Sequence, residues 1–166
     1  MVVEKLQQAV SDIKEHRNEI INNLINFSKT DSLLFWDTDE NIAKKQEQVW
    51  GPIMQWVGEM LHAQYVTSHN LDVPMQKANT LNNFKMFLEN MSDKELAAFY
   101  LAALNMRSGI LAAALVKGKI NAKQAFEASA LEELVQSEHW GKDKLAEERR
   151  KSMLDELKEI EKFLKQ

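Results

Sequence analysis

The stretch Leu96–Leu115 reads LAAFYLAALNMRSGILAAAL, and its reading decides the fold. A run of this length and apolarity has the dimensions of a membrane span. Asn105, Arg107 and Ser108 stand near its middle, however, and a central arginine is costly in lipid. We therefore read it as a long alanine-rich helix buried inside a soluble protein, not as a span. Its ends carry punctuation that fits a helix. Ser92-Asp-Lys-Glu95 has capping-box spacing before it, and the Lys-Gly-Lys around Gly118 closes it.

Working outward, Asn121 followed three residues later by Gln124 opens the next helix, which is expected to reach about Gln136. A last helix is expected over roughly Lys142 to Leu164, with Leu145, Met153, Leu157, Ile160 and Leu164 along one stripe. Toward the amino terminus, a helix near Pro74 to Met91 includes Leu81, Phe84, Phe87 and Leu88. Leu6, Val10, Ile13, Ile20, Leu24 and Phe27 recur at helical steps and predict a first helix over about Val3 to Phe27. Between these lies a helix over Glu40 to Leu61, offered caps by Asp37, Thr38 and Asp39. Pro52 inside it predicts a kink near Gln48 to Gly51, or two shorter helices meeting there. No strand alternation of useful length appears. The expectation is a single all-α domain of about six helices, with at most one short extended segment near residues 63–69.

Composition agrees and excludes several functions. The chain has 166 residues, 45% of them hydrophobic and 28% charged, which suits one folded domain. A net charge of -4 with both signs intermixed lacks the basic face that nucleic acid requires. With no cysteine, disulfides, thiolate metal sites and cysteine nucleophiles are excluded.

Three kinds of chemical site can be tested on spacing. Lys117-Gly-Lys-Ile120 contains Gly-Lys, but Ala113 stands where a phosphate loop needs its first glycine and Ile120 replaces the magnesium-binding hydroxyl. Glu59-Met-Leu-His62 has the Glu-x-x-His spacing of a helical metal site, yet such bundles need a second copy. Gln136, not a carboxylate, lies three before His139, so that copy fails. Glu132, Glu133 and Glu138 crowd together in Leu131–Asp143, LEELVQSEHWGKD, but a helix disperses them over different faces. Ser137 has no base and orienter around it. No metal, cofactor or catalytic residue is expected. Trp36, Trp50, Trp56 and Trp140 all fall near expected helix ends or the Pro52 break, as packing groups or interface anchors. Gly141 beside Trp140 is read as a turn that anchors the last helix, leaving Glu138 exposed at the junction.

Four ordered blocks resemble one family, the ATP-twelve family of assembly chaperones for the F-type ATP synthase alpha subunit. Lys29–Trp36, KTDSLLFW, is similar to its Thr-Asp block through Thr30, Asp31 and Leu33. Gln46–Trp56, QEQVWGPIMQW, resembles Gln-x-x-x-Trp-Asp-Pro-Leu-x-x-Trp through Gln46, Trp50, Pro52 and Trp56. Ser108 and Gly118 match the spacing of a Ser-Leu…Gly segment. The last block resembles Leu-Asp-Glu-x-x-Gln-x-Glu-x-Trp-Gly-x-Asp through Leu131, Glu133, Gln136, Glu138, Trp140, Gly141 and Asp143. Departures are Leu34, Phe35 and Trp36 where the family has Cys-Tyr-Arg or similar, Gly51 for Asp, and Leu134 for an aromatic.

The resemblance implies a helical carboxy-terminal domain over residues 1–166, opening without the β-rich domain that precedes it in the family. It implies an ATP-independent, non-enzymatic helper that binds the unassembled alpha subunit where the beta subunit later sits. It places the important acidic residue on Glu138, with Glu133, Gln136, Trp140 and Asp143 around it for partner binding, and Asp31, Gln46, Trp50, Pro52, Trp56, Ser108 and Gly141 as structural motif residues. A free monomer is expected, in the alphaproteobacterial cytoplasm before the mitochondrial matrix, with no membrane insertion. The alternatives are a metal-binding bundle using Glu59 and His62, or a helical adaptor for an unrelated partner.

Overall fold

The structure, a computed structural model, describes residues 2–141 and 143–166. Among them the chain is all-helical, but with eight α-helices where about six were expected. These are α1 (Val2–Ser28), α2 (Glu40–Leu61), α3 (Ala78–Glu89), α4 (Asp93–Met106), α5 (Gly109–Val116), α6 (Ala122–Ser129), α7 (Leu131–Trp140) and α8 (Lys144–Leu164). A 3-10 turn, Ser32–Leu34, joins α1 to α2. The extended residues before α3 form no strand; Ser68 makes one isolated parallel bridge to Phe35.

Both extra helices arise from breaks inside segments expected to be continuous. The alanine-rich stretch is two helices, because Arg107 adopts the left-handed conformation at φ 56 and ends α4. Ser108 then caps α5, its hydroxyl oxygen accepting from the Leu111 amide at 3.0 Å. The polar residues that argued against a membrane span are thus the joint between two buried helices. No helix among the described residues is long and apolar enough to cross a membrane. The segment after Asn121 breaks likewise at Ala130, so α6 is short and α7 runs on to Trp140, past the expected end near Gln136.

Other ends follow local chemistry. Ser92–Glu95 and Asn121–Gln124 both form reciprocal capping boxes, and Asp39 caps α2 through the amides of Asn41 and Ile42. Pro52 splits nothing, and α2 is one element through it. The loss is a single intrahelical bond, while Trp50, Ile53 and Val57 around it are buried. The broken helix is α1, where His16 leaves helical geometry at φ -132 and ψ 35. Next to it Arg17 pairs with Asp93 at 2.7 Å and donates to the carbonyls of Glu89 and Met91, tying the break to the α3–α4 corner. The third helix starts at Ala78, not near Pro74. Lys142, the expected start of the last helix, lies outside the described residues; α8 begins at Lys144 with Asp143 as its cap.

The core is built around α4 and α5. Every residue of α5 from Gly109 to Leu115 is buried, so this helix is apolar on all sides because protein surrounds it. Helices α1, α2, α6 and α8 pack around the pair. Gly109 is needed for that approach, since a Cβ there would lie 3.2 Å from the Phe84 ring and 3.5 Å from Phe99.

Candidate functional site

The motif residues fall into two groups with opposite environments. The first is a buried polar framework. Asp31 sits at the joint between α4 and α5, with one carboxylate oxygen accepting from the Leu33 amide at 3.0 Å and the other from Ile110 at 2.9 Å. The Ser108 hydroxyl and the Gly109 amide bond to it as well. Burial pushes its pKa from 3.8 up to about 6 against the pull of those donors. The neighbouring Tyr65 hydroxyl is buried with no hydrogen-bond partner, and burial, then the charge of Asp31, pushes its pKa up. The Ser32 amide donates to the Arg107 carbonyl at 3.0 Å, so the 3-10 turn stitches α1 to the joint.

Gln46 extends the framework toward α7. Fully buried, it accepts from the Asp37 amide at 2.9 Å and donates to Glu132 at 3.0 Å. Glu132 is half-buried, and that burial, followed by the charge of Asp37, raises its pKa against the Gln46 bond. Trp50 donates its indole N–H to the Ala128 carbonyl at 2.9 Å and meets Trp36 edge-to-face at 5.7 Å. Trp56 is partly buried against the core, and Pro52 is exposed. Sequence reasoning placed Glu132 among the dispersed acids; its bond to Gln46 is a tertiary contact with no local signature.

The second group occupies the corner where α7 turns into α8. Glu133 reaches Arg149 at 2.7 Å and Arg150 at 3.3 Å, bracing the two helices from within the corner. Asp143 caps α8 by accepting from Leu145 at 3.0 Å. Gln136 is exposed. Glu138 keeps 67% of its side chain exposed, and among the described residues the one ion-pair partner beside it is Lys45, at 3.6 Å. Such an exposed pair is weak and easily exchanged for another partner.

Trp140 is 87% exposed, so it does not anchor the last helix as expected. The corner is set instead by Gly141 at φ 86 and ψ 176, a conformation open essentially to glycine alone, and by the Asp143 cap. Leu145, 75% exposed, adds a second apolar group to the corner. The corner thus leaves one carboxylate and two apolar side chains exposed to solvent. His62, of the considered Glu-x-x-His, is the left-handed C-cap of α2. Among the described residues no group of three or more His, Cys, Asp or Glu side chains converges to hold a metal.

Comparison with known proteins bears out the resemblance read from the sequence. The family model for ATP12 chaperone protein matches residues 1–58, which include Asp31, Gln46, Trp50, Pro52 and Trp56. Over 94% of the chain, the fold is similar to Atp12 from Paracoccus denitrificans at 24% identity, with a TM-score of 0.88. A mutant of the same Paracoccus protein gives a TM-score of 0.89 at 24% identity and 94% coverage. A candidate chaperone from Agrobacterium tumefaciens is similar at 25% identity over 95% of the chain, with a TM-score of 0.87. The chain covers 67% of each Paracoccus chain and 59% of the Agrobacterium one.

Proposed function

We infer that this chain is the helical part of an ATP12-type assembly chaperone, and that it binds the unassembled alpha subunit of the F-type ATP synthase without using ATP. In this reading residues 1–166 are the counterpart of the helical portion of longer relatives. The corner shields the surface that the beta subunit later covers. No reaction is catalysed; the work is done by binding. The site is the cytoplasm of an alphaproteobacterium, in keeping with the two organisms whose proteins share the fold. The free protein is a monomer.

The observation that carries the reading is the exposure of both Glu138 and Trp140 in the last turn of α7, next to a corner crossed by the Glu133–Arg149 and Glu133–Arg150 pairs. An orphan subunit of a ring exposes an obligate interface, more apolar than an ordinary surface. A helper that must later be displaced needs a small apolar anchor and an exchangeable charge, not a second obligate interface. Trp140 supplies the first, and Glu138 supplies the second by leaving Lys45 for a cation or amide of the client.

Co-purification with the alpha subunit of the same organism is the direct test, and failure of capture by the chain joined to its relatives' preceding domain would end the reading. Within it, Glu138→Lys is expected to abolish capture while leaving the melting temperature within about 2 °C, because the pair it breaks is exposed. A large drop in melting temperature would make Glu138 a structural residue instead.

A further inference from the structure

A second exposed apolar cluster lies away from the corner, on the loop between α2 and α3. Leu71 is 97% exposed, Met75 89% and Val73 58%. These are alternate residues of one short segment, with Asp72 and Pro74 between them. Such exposure in an untethered loop would mean little. This loop is tethered. Gln76 closes its stem with two bonds to the backbone of Val66, accepting from its N–H and donating to its carbonyl, each at 2.8 Å. Ser68 is pinned to the framework from both sides, donating to the Leu34 carbonyl at 2.7 Å and accepting from the Trp36 amide at 2.8 Å. Inside the loop, the Asn70 side-chain oxygen accepts from the Ser68 hydroxyl and the Asp72 amide, both at 2.8 Å. The backbone is ordered by polar groups while the apolar groups face water.

We propose that Val66–Gln76 is a preformed apolar finger of the chaperone, whose Leu71, Val73 and Met75 enter an apolar cleft bordered by cationic side chains on the client subunit. The proposal rests on the assembly-chaperone reading and deepens it. Contiguous apolar exposure marks contact sites, and compact closed loops frequently carry them. Pre-ordering of the loop lowers the entropy that binding would otherwise cost, and Met75 adapts to an irregular partner.

The partner's chemistry follows from the surroundings of the finger. Its base borders an open cavity of about 320 Å³ that also contains Asp37 and Glu132, and Asp72 stands within the tip. Lys77 is the cation at the stem. This acidic rim complements cationic groups and disfavours an anionic bilayer. Glu132, which lines this cavity, lies in the first turn of α7, the helix that carries Glu138 and Trp140 at its other end.

The test uses the full chain and the purified alpha subunit of the same organism, with affinity read by fluorescence anisotropy. Leu71→Asp combined with Met75→Asp is expected to weaken binding at least tenfold with no change in melting temperature. Gln76→Ala, which frees the stem and keeps the tip, is expected to weaken it several-fold. Undiminished binding by the double variant, with Glu138→Lys inactive, would overturn the finger and leave the chaperone reading intact. Absence of binding by the unaltered chain, both alone and joined to its relatives' preceding domain, would overturn both. Sedimentation of the unaltered chain with phosphatidylglycerol vesicles, lost in the double variant, would replace the protein partner with a membrane.

Discussion

The joint between α4 and α5 and the corner between α7 and α8 are both helix–helix turns, both capped by a polar side chain and both rich in motif residues. They differ in where the polar groups point. At the joint, Asp31 and Ser108 turn inward and are consumed by backbone amides. At the corner, Glu138 and Trp140 turn outward with almost nothing of the protein against them. Similar turn chemistry serves fold specification in one place and presents a surface in the other. Burial, not residue type, separates the two roles.

The sharpest way to break that comparison is at Asp31. Asp31→Ala leaves the buried amides of Leu33 and Ile110 without acceptors, and is expected to cost about 3 kcal/mol or more in urea unfolding. The carboxyl also predicts a pH dependence. Its folded pKa of about 6 lies above the ordinary 3.8, so the folded state holds the proton more tightly than the unfolded state does. This group's contribution is therefore greatest below about 3.8 and is lost as pH rises to about 6, by up to about 3 kcal/mol. Unfolding free energies at pH 4.5 and 7.5, for the unaltered chain and Asp31→Asn, isolate it. Equal pH dependence in the two would show that Asp31 titrates normally.

Gln46 comes next. Gln46→Ala strips the Asp37 amide of its acceptor and Glu132 of its donor, at an expected cost of about 1–2 kcal/mol by thermal or urea unfolding. It should also raise the pKa of Glu132 further, since the bond that opposed the rise is gone. Carboxyl-carbon NMR titration of Glu132 reads this directly. A fall would mean that the shortened side chain admits water and relieves the burial that raised it.

How much of this was legible in the sequence depends on whether a feature is local. The all-α class, the Asp39 cap and both capping boxes are written in neighbouring residues, and the structure has them. The breaks at His16, Arg107 and Ala130 are not written that way. Arg107 ends α4 in a conformation its residue type does not announce, with Ser32 bonded to its carbonyl from far along the chain. His16 breaks α1 beside an arginine whose partners lie in α3, the turn after it and the start of α4. Pro52 does not divide α2 into two helices, one of the two outcomes its residue type announced, and Trp50, Ile53 and Val57 are buried around it. The environments of Trp50 and Trp140 were equally hidden. Both stand near helix ends or breaks in an amphipathic pattern, and the contacts that bury Trp50, with Trp36 and with the Ala128 carbonyl of α6, come from elsewhere in the chain.

The smallest expected effect lies at Trp140, and it completes the contrast with Trp50. Trp140→Ala removes a side chain that is already 87% exposed, so its stability cost should fall within about 0.5 kcal/mol. Trp50→Ala, by contrast, empties a buried site and orphans the Ala128 carbonyl, which should cost about 3–5 kcal/mol. Parallel urea melts of the two variants would place them at opposite ends of one scale. If Trp140→Ala proved as costly as Trp50→Ala, the indole would have to pack against the corner in solution, and the outward-facing surface built on Glu138 would lose its apolar anchor. If the melts separate as expected, a loss of client binding in Trp140→Ala can be read as a lost contact and not as a damaged fold.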